Sequence, residues 1–548
     1  MSLADQGGAG VSELFAAIDR AVKAGDLWAA SELADVALAR GAEHPGLLHL
    51  SGWRLHQRGD YGAALDRLSR ARALAPADAD VLNSLGLCLH RLSRTQEAIQ
   101  AYDGALAVRP AFAQAFCNKG SALRDSGDLE GADRCFEQAI EIAPNYAEPL
   151  AALAAASAAR RDLSRARELA EKALSVSPKL ASARLTLAEV EIAECAFAEA
   201  RARLQDMPGS PELSGINRAI AASLLGDALD GLDRPQEAFD AYAASKQELR
   251  ALYADQYERP GLETALQMAE RLERYFTSSQ ANRWSGEAAS PGPSVAATHV
   301  FLVGFPRSGT TLLEQVLASH PDVVTLEERE CLAFAGAPLL SEPGGLDRLA
   351  TLDEAGLAER REAYWAEVRR NGVEPAGRVF VDKMPLNSVL LPIAARLFPQ
   401  AKILWARRDP RDVVLSCFRR RFGMTASMYQ LTTLQGAADY YDAVMRLNEA
   451  YARTLVQDRF VLRYEDFVRN FEPESRRVCE FIGLPWLDTL KAFAETARRR
   501  SINTPSAPQV ARGLFTEGVG QWRRYGEQLR PARPILDAWA ERFGYPAD

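Results

Sequence analysis

The sequence predicts an α + α/β protein, an N-terminal α-solenoid followed by a P-loop-like α/β domain with a mostly parallel sheet. Three observations predict it. Small residues and prolines recur every 34 residues through the first half. Apolar strand-like runs alternate with helical patterns through the second half, the text of a sheet whose ligands lie at the strands' carboxyl ends. Between them, Val300 to Thr311 reads VFLVGFPRSGTT. That stretch is a buried-strand run, a glycine-framed loop and the start of a helix, the parts of a phosphate cradle.

The repeat comes first in the chain. Pro76, Pro110, Pro144 and Pro178 are 34 residues apart, as are Ala30, Ala64, Ala98, Ala132, Ala166 and Ala200. Ala37, Ala71, Ala105, Ala139 and Ala173 follow in phase, and Gly52, Gly86 and Gly120 keep the same step. Small residues let two helices approach closely, and proline ends the second helix of each unit. This is the tetratricopeptide signature. Six units fall at about 11–44, 45–78, 79–112, 113–146, 147–180 and 181–214. A seventh fits 219–252 after a slip of four residues, with Gly226 and Ala238 in place. Residues 1–252 are therefore expected to form the array, a groove for a protein or peptide partner rather than only a spacer or dimerisation surface. Residues 253–297, a helical stretch and a Ser/Gly/Pro-rich run, read as the linker, and 298–548 as the second domain.

In that domain the expected strands are Val300–Val303, Arg378–Val381, Lys402–Ala406 and Arg459–Leu462. The loop Gly304–Thr311 has the glycine spacing of a nucleotide-triphosphate loop, but Thr310 stands where that motif has lysine. Backbone N–H groups of Ser308, Gly309, Thr310 and Thr311 at a helix N-terminus suit a phosphate, and Arg307 adds a fixed charge. From Arg407 to Arg421 there are six arginines and two aspartates, a local anion site on a chain whose net charge is −8.

That net charge argues against a nucleic-acid or membrane-surface binder. No run is long enough to span a bilayer, and the N-terminus has no basic or apolar leader pattern. Seven scattered cysteines show neither a disulfide framework nor a zinc spacing. A cytoplasmic protein without a metal is expected; the oligomeric state is not legible.

The motifs FPRSGTTL, SHPDV, LEE, DKMPLN, LFPQAKILWARRDPRDVVLSCF and RYEDF…CEFIGLPW, in this order, resemble the sulfotransferase family. The similarity is greatest to its tyrosylprotein branch and covers about residues 298–530. It implies 3′-phosphoadenosine 5′-phosphosulfate (PAPS) as donor. That donor has no β/γ-phosphate pair, which accounts for the absent lysine. The resemblance assigns the 3′-phosphate to Arg408 and Ser416, with Arg420 one turn on facing the same ligand. Tyr464, Ser506 and Arg512 match positions near the nucleotide.

The resemblance also implies the chemistry. An acceptor hydroxyl attacks sulfur in line, which needs positioning, a base and positive charge on the leaving oxygen. Glu327 matches the tyrosylprotein base, with Glu328 as runner-up. Lys383 matches the lysine that polarises the bridging oxygen, and Arg307 completes the clamp. Of the histidines, only His299 and His320 lie in this half, and neither is placed like the base of the small-molecule branch. Two departures bear on the acceptor. TLEERE replaces the animal enzymes' CGEETR, putting Glu330 where they have arginine. Val381 stands where they have a bridging cysteine, so their disulfide cannot form. The expected acceptor is tyrosine of a protein or peptide; a glycan, lipid or small alcohol is the alternative. A P-loop kinase or NTPase is opposed by Thr310 and the Arg408/Ser416 pair. A tetratricopeptide adaptor with a silent enzyme domain is opposed by Arg307, Glu327 and Lys383 together.

Overall fold

The structure is a computed structural model that describes residues 3–284, 292, 295–500, 510, 513–514 and 516–547. Contacts divide the chain into two compact units, Met1–Ala196 and Phe197–Asp548.

The first unit is all helical. Its helices come in pairs in the phase of the sequence repeat, for example Pro45–Gln57 with Tyr61–Leu74 and Ala79–Arg91 with Thr95–Val108. The periodic alanines explain the pairing, since Ala30, Ala64, Ala98 and Ala166 are wholly buried. The periodic glycines mark where a large ring or branched side chain crosses a helix backbone. A Cβ on Gly86 would sit 2.5 Å from the Tyr102 ring, and one on Gly120 2.8 Å from Phe136. Both are impossible contacts, so only glycine lets the two helices close.

The second unit begins with the end of that pattern. Gly215–Gly231 and Pro235–Tyr257 form the last helical hairpin, longer than the 34-residue register predicts. Gly226 repeats the glycine device against Tyr242 at 2.5 Å. By repeat phase this hairpin belongs to the array. By packing it belongs to the α/β domain, where Phe239 stacks on Phe418 with ring centroids 5.0 Å apart.

The sheet has five strands: β1 Thr298–Gly304, β2 Val323–Glu327, β3 Val379–Lys383, β4 Lys402–Arg407 and β5 Arg459–Arg463. Their order is β2-β3-β1-β4-β5 and every pairing is parallel. Four strands coincide with those expected; β2 was not expected. Alternation sends Phe301, Val303, Phe380 and Trp405 into one buried face and Val300, Leu302, Val379, Val381 and Leu404 into the other, the two-sided burial typical of parallel sheets. The register pairs Glu327 with Lys383, Lys383 with Leu302, and Gly304 with Ala406. All five carboxyl ends thus lie along one edge.

Behind β3 lies a buried polar chain. The Tyr364 hydroxyl donates to Asp382 Oδ2 at 2.8 Å, and His299 Nε2 lies 3.0 Å from that hydroxyl. Burial drives the His299 ring down to about 3, so it is neutral and its Nε2–H donates to Tyr364. Burial likewise pushes Asp382 up to about 7, against the favourable Tyr364 hydrogen bond and the nearby Lys383 charge. A raised acid is stabilising while protonated, so its contribution is complete below the unfolded value near 4 and is lost as pH rises through about 7. Asp382→Asn should remove this dependence. The wild-type minus variant stability, from urea unfolding at several pH values, should fall across that window by up to about 1.4 kcal/mol per pH unit. A difference flat with pH would show that Asp382 is ionised throughout.

Candidate functional site

The loop after β1 is shaped by two glycines. A Cβ on Gly304 would lie 2.6 Å from the Ala406 carbonyl oxygen, so β1 and β4 can close only with glycine there. Gly309 has φ +96° and caps the helix Thr310–Leu317; a Cβ on it would meet the Tyr464 ring at 2.6 Å. The Ser308 N–H turns back to the Phe305 carbonyl at 3.2 Å. The loop's remaining donors are thereby shifted toward the first helical turn, Gly309 to Thr311, where an α-helix leaves N–H groups without intrahelical partners. Ser308, Thr310 and Thr311 are buried.

Arg307 is the one non-glycine of this loop with a left-handed backbone, φ +71°. Its Nε donates to Ser416 Oγ at 3.0 Å. Arg408 Nη1 donates to the Arg307 carbonyl oxygen at 3.0 Å, and its Nη2 to that of Gly518. The Gly518 segment is itself fastened, since Asp412 accepts from the N–H groups of Gly520 at 2.7 Å and Trp522 at 2.9 Å. Arg408 also covers the Tyr464 ring, 5.0 Å from its centroid. Its Nε is buried with no hydrogen-bond partner among the described residues. Burial, then repulsion from Arg420 and Arg408, lowers Arg307 to about 9. Arg307, Arg408, Ser416, Arg420 and Tyr464 therefore gather at the carboxyl ends of β1, β4 and β5, a site that a bound anion would relieve of its like-charge repulsion.

The arginine run is more divided than its composition suggests. Arg411 is fully buried and locked to Asp409 at 2.8 Å, with the carbonyls of Pro546 and Ala547 taking its remaining donors. Arg419 pairs with Asp230. Both brace the fold rather than face the loop. The helix Pro410–Arg419 also ends before Arg420, whose backbone is extended at φ −99°, ψ 143°. Arg420 approaches Arg307 from the helix end and not from the next turn of the same face, and it pairs with Asp227 at 3.1 Å. Ser506 and Arg512 lie outside the described residues.

The other end of the edge carries the opposite charge. Lys383, wholly buried at the end of β3, has Nζ 2.7 Å from Glu328, 3.3 Å from Glu314 and 3.7 Å from Glu327. Burial opposes its charge, but the three carboxylates outweigh burial and hold its pKa above the usual lysine value. Glu327 ends β2 and faces Lys383 by register, whereas Glu328, at φ +44°, turns back so that its N–H donates to the Lys383 carbonyl oxygen at 2.8 Å. The nearest carboxylate is thus that of Glu328, not Glu327. Glu314, from the helix Thr310–Leu317, accepts from Thr325 Oγ1 at 3.1 Å. Glu314 was not singled out in the sequence. Its signal is a charged residue at a helix position whose neighbours Leu313, Val316 and Leu317 all enter the core.

The two histidines are structural. His299 serves the buried chain behind β3, and His320 Nδ1 accepts from the Asp322 N–H at 3.1 Å while Nε2 donates to the Pro485 carbonyl oxygen at 3.1 Å. No group of three or more His, Cys, Asp or Glu suited to hold a metal occurs among the described residues.

Glu314 cannot rehydrate where it lies, but Glu327 and Glu328 reach solvent. Removing the lysine should therefore strand one carboxylate. Lys383→Met is expected to cost about 3–5 kcal/mol in denaturant unfolding, and Lys383→Met with Glu314→Leu to recover more than half of it. Equal loss in the single and double variants would mean that Glu314 is not the buried partner.

Comparison with known proteins agrees with this division. Residues 299–488 match the Sulfotransferase family, and residues 79–112, 113–146 and 157–211 match tetratricopeptide repeats. The first two repeat matches have the bounds expected from the 34-residue period. A Gallus gallus protein-tyrosine sulfotransferase 2 is 30% identical over 45% of this chain and 69% of its own length. A Drosophila melanogaster protein-tyrosine sulfotransferase is 27% identical over 46% of this chain, and an uncharacterized Aquifex aeolicus protein 27% over 45%. The chain spans only 51% and 33% of the length of those two relatives. The matched region holds β1 to β5 with both charged clusters, and with tetratricopeptide repeats ahead of that region, the chain belongs to the sulfotransferase family.

Proposed function

We propose that this protein transfers a sulfuryl group from PAPS to an acceptor hydroxyl, with a tyrosine of a protein or peptide as acceptor. The observation that carries this reading is the division of one sheet edge into a cationic part around β1 and β4 and a carboxylate–lysine part around β2 and β3. Transfer of an anionic group to a hydroxyl needs both.

The residues present fit a nucleotide with phosphates at two positions. Arg408 has a buried Nε with no hydrogen-bond partner among the described residues, and Arg307 is lowered by burial and by neighbouring cations. When bound, PAPS supplies the activated sulfuryl group and a phosphate as leaving group. The helix N-terminus at Thr310 and the Arg307 guanidinium hold the 5′ end. Arg408, Ser416 and Arg420 hold the 3′-phosphate, and Tyr464 flanks it. Glu327 takes the acceptor proton as the new O–S bond forms and the old S–O bond breaks. Protonation neutralises Glu327 and loosens its hold on Lys383, whose ammonium then meets the charge developing on the leaving oxygen. No metal is assigned a role. The array's role in this reading is to bring the protein acceptor. Seven free cysteines, six of them buried, fit a reducing, cytoplasmic setting.

Calorimetry tests the donor: 3′,5′-ADP should bind tightly, and ATP weakly and independently of Mg²⁺. Tighter binding of ATP·Mg²⁺ would overturn the reading. Glu327→Gln keeps shape but not basicity and should lower kcat by roughly 10²–10⁴-fold with 3′,5′-ADP affinity little changed. Glu328→Gln should cost far less. A dead Glu328→Gln beside an active Glu327→Gln would move the base to the residue that lies nearer Lys383.

A further inference from the structure

Three charged residues of the last helical hairpin meet the end of the arginine-bearing helix Pro410–Arg419. Lys246 stands where three earlier units carry Leu106, Ile140 and Leu174 and another carries Arg72. It is buried, and its ammonium donates to the Arg420 carbonyl oxygen at 2.6 Å and that of Cys417 at 3.3 Å. It thus caps carbonyls that a helix C-terminus leaves without internal donors. Asp230 receives Arg419, the Tyr525 hydroxyl at 2.6 Å and Arg524 at 2.8 Å. Asp227 stands where earlier units carry Trp53, Leu87, Ser121, Ala155 and Glu189, a position the repeat does not fix. It accepts from the Tyr242 hydroxyl at 2.8 Å and from Arg420 Nη1 at 3.1 Å.

These contacts differ in what they can do. Lys246 and Asp230 fix the helix end. Asp227 touches a guanidinium that also stands beside Arg307 and retains access to solvent. Arg420 follows the end of its helix on extended backbone, so its own secondary structure does not set its direction. A carboxylate pinned by Tyr242 does.

We propose that Asp227, from the last repeat hairpin, is a positioning residue for the donor: it aims Arg420 at the 3′-phosphate, so that this hairpin is part of the nucleotide site. The proposal rests on the donor reading above. A carboxylate beside a phosphate-binding arginine lowers the net positive charge, and its benefit must come from geometry. One nitrogen of Arg420 is held by Asp227, which leaves the rest of the fork to meet the phosphate in a fixed direction.

The full-length protein can be tested with two probes, 3′,5′-ADP and 5′-AMP, which differ only in the 3′-phosphate. Wild type should prefer 3′,5′-ADP. Asp227→Asn should weaken 3′,5′-ADP by about tenfold and leave 5′-AMP unchanged, with Asp227→Glu recovering part of the loss. In an Arg420→Ala background Asp227→Asn should cost nothing further, because the effect passes through Arg420. Equal losses for both nucleotides, a loss that persists without Arg420, or an unchanged or raised 3′,5′-ADP affinity would overturn the proposal. If wild type itself shows no preference for 3′,5′-ADP, the donor reading fails instead.

Discussion

Three guanidinium groups brought together at the end of a parallel sheet repel one another, and much of the second unit is arranged to keep them there. Arg307 shows the strain most directly, in a backbone conformation that ordinary residues avoid and with its charge disfavoured by burial and by Arg420 and Arg408. What holds the group is mostly oxygen without full charge. Arg408 donates to the carbonyls of Arg307 and Gly518, and Arg307 donates to the Ser416 hydroxyl. Carbonyl and hydroxyl partners orient a cation without neutralising it. The field is left for an incoming anion, and the binding of that anion is strengthened by the repulsion it removes.

The lysine at the other end of the edge is treated in the opposite way. Lys383 is enclosed by three carboxylates, one of them with no route to water. A buried ion pair of this sort is a costly way to gain stability, and its value is better sought in a lysine held charged and ready at a fixed point. The two arrangements are complementary. Arg307 and Arg408 are oriented by neutral oxygens, while Lys383 is held by carboxylates.

The parts legible in sequence were those that repeat or that lie within one short segment. Ala30, Ala64 and Ala98 declare a helix pair because close packing imposes the same small residue at each turn of the array. Gly304 and Gly309 declare the loop after β1 because two separate steric demands fall within one short segment. β2 escaped notice because five residues, with Thr325 and Glu327 pointing to a polar pocket, lack the apolar run of a strand buried on both faces. The six arginines were over-read for a related reason. Composition records their charge, but only the folded contacts separate Arg411 and Arg419, closed on Asp409 and Asp230, from Arg408, which meets backbone carbonyls. Glu314 was invisible because its partner lies 69 residues away on another strand.

The last hairpin shows how a repeat can be enlisted by the domain next to it in the chain. Phase alone places the end of the array at residue 252, and the steric rule is obeyed, since Gly226 admits Tyr242 as Gly86 admits Tyr102. A terminal repeat has no successor to cover its outer face, and arrays usually meet this need with polar substitutions that face solvent. Here the charged residues of that face meet protein. Lys246 answers helix carbonyls, Asp230 answers Arg419, and Asp227 answers Arg420. The face that would otherwise need a cap is covered by the domain that it helps to orient. A cut at residue 252 would follow the repeat but remove a lysine and two carboxylates from the end of the helix that carries Ser416. The boundary that matters to the site is therefore the one drawn by packing.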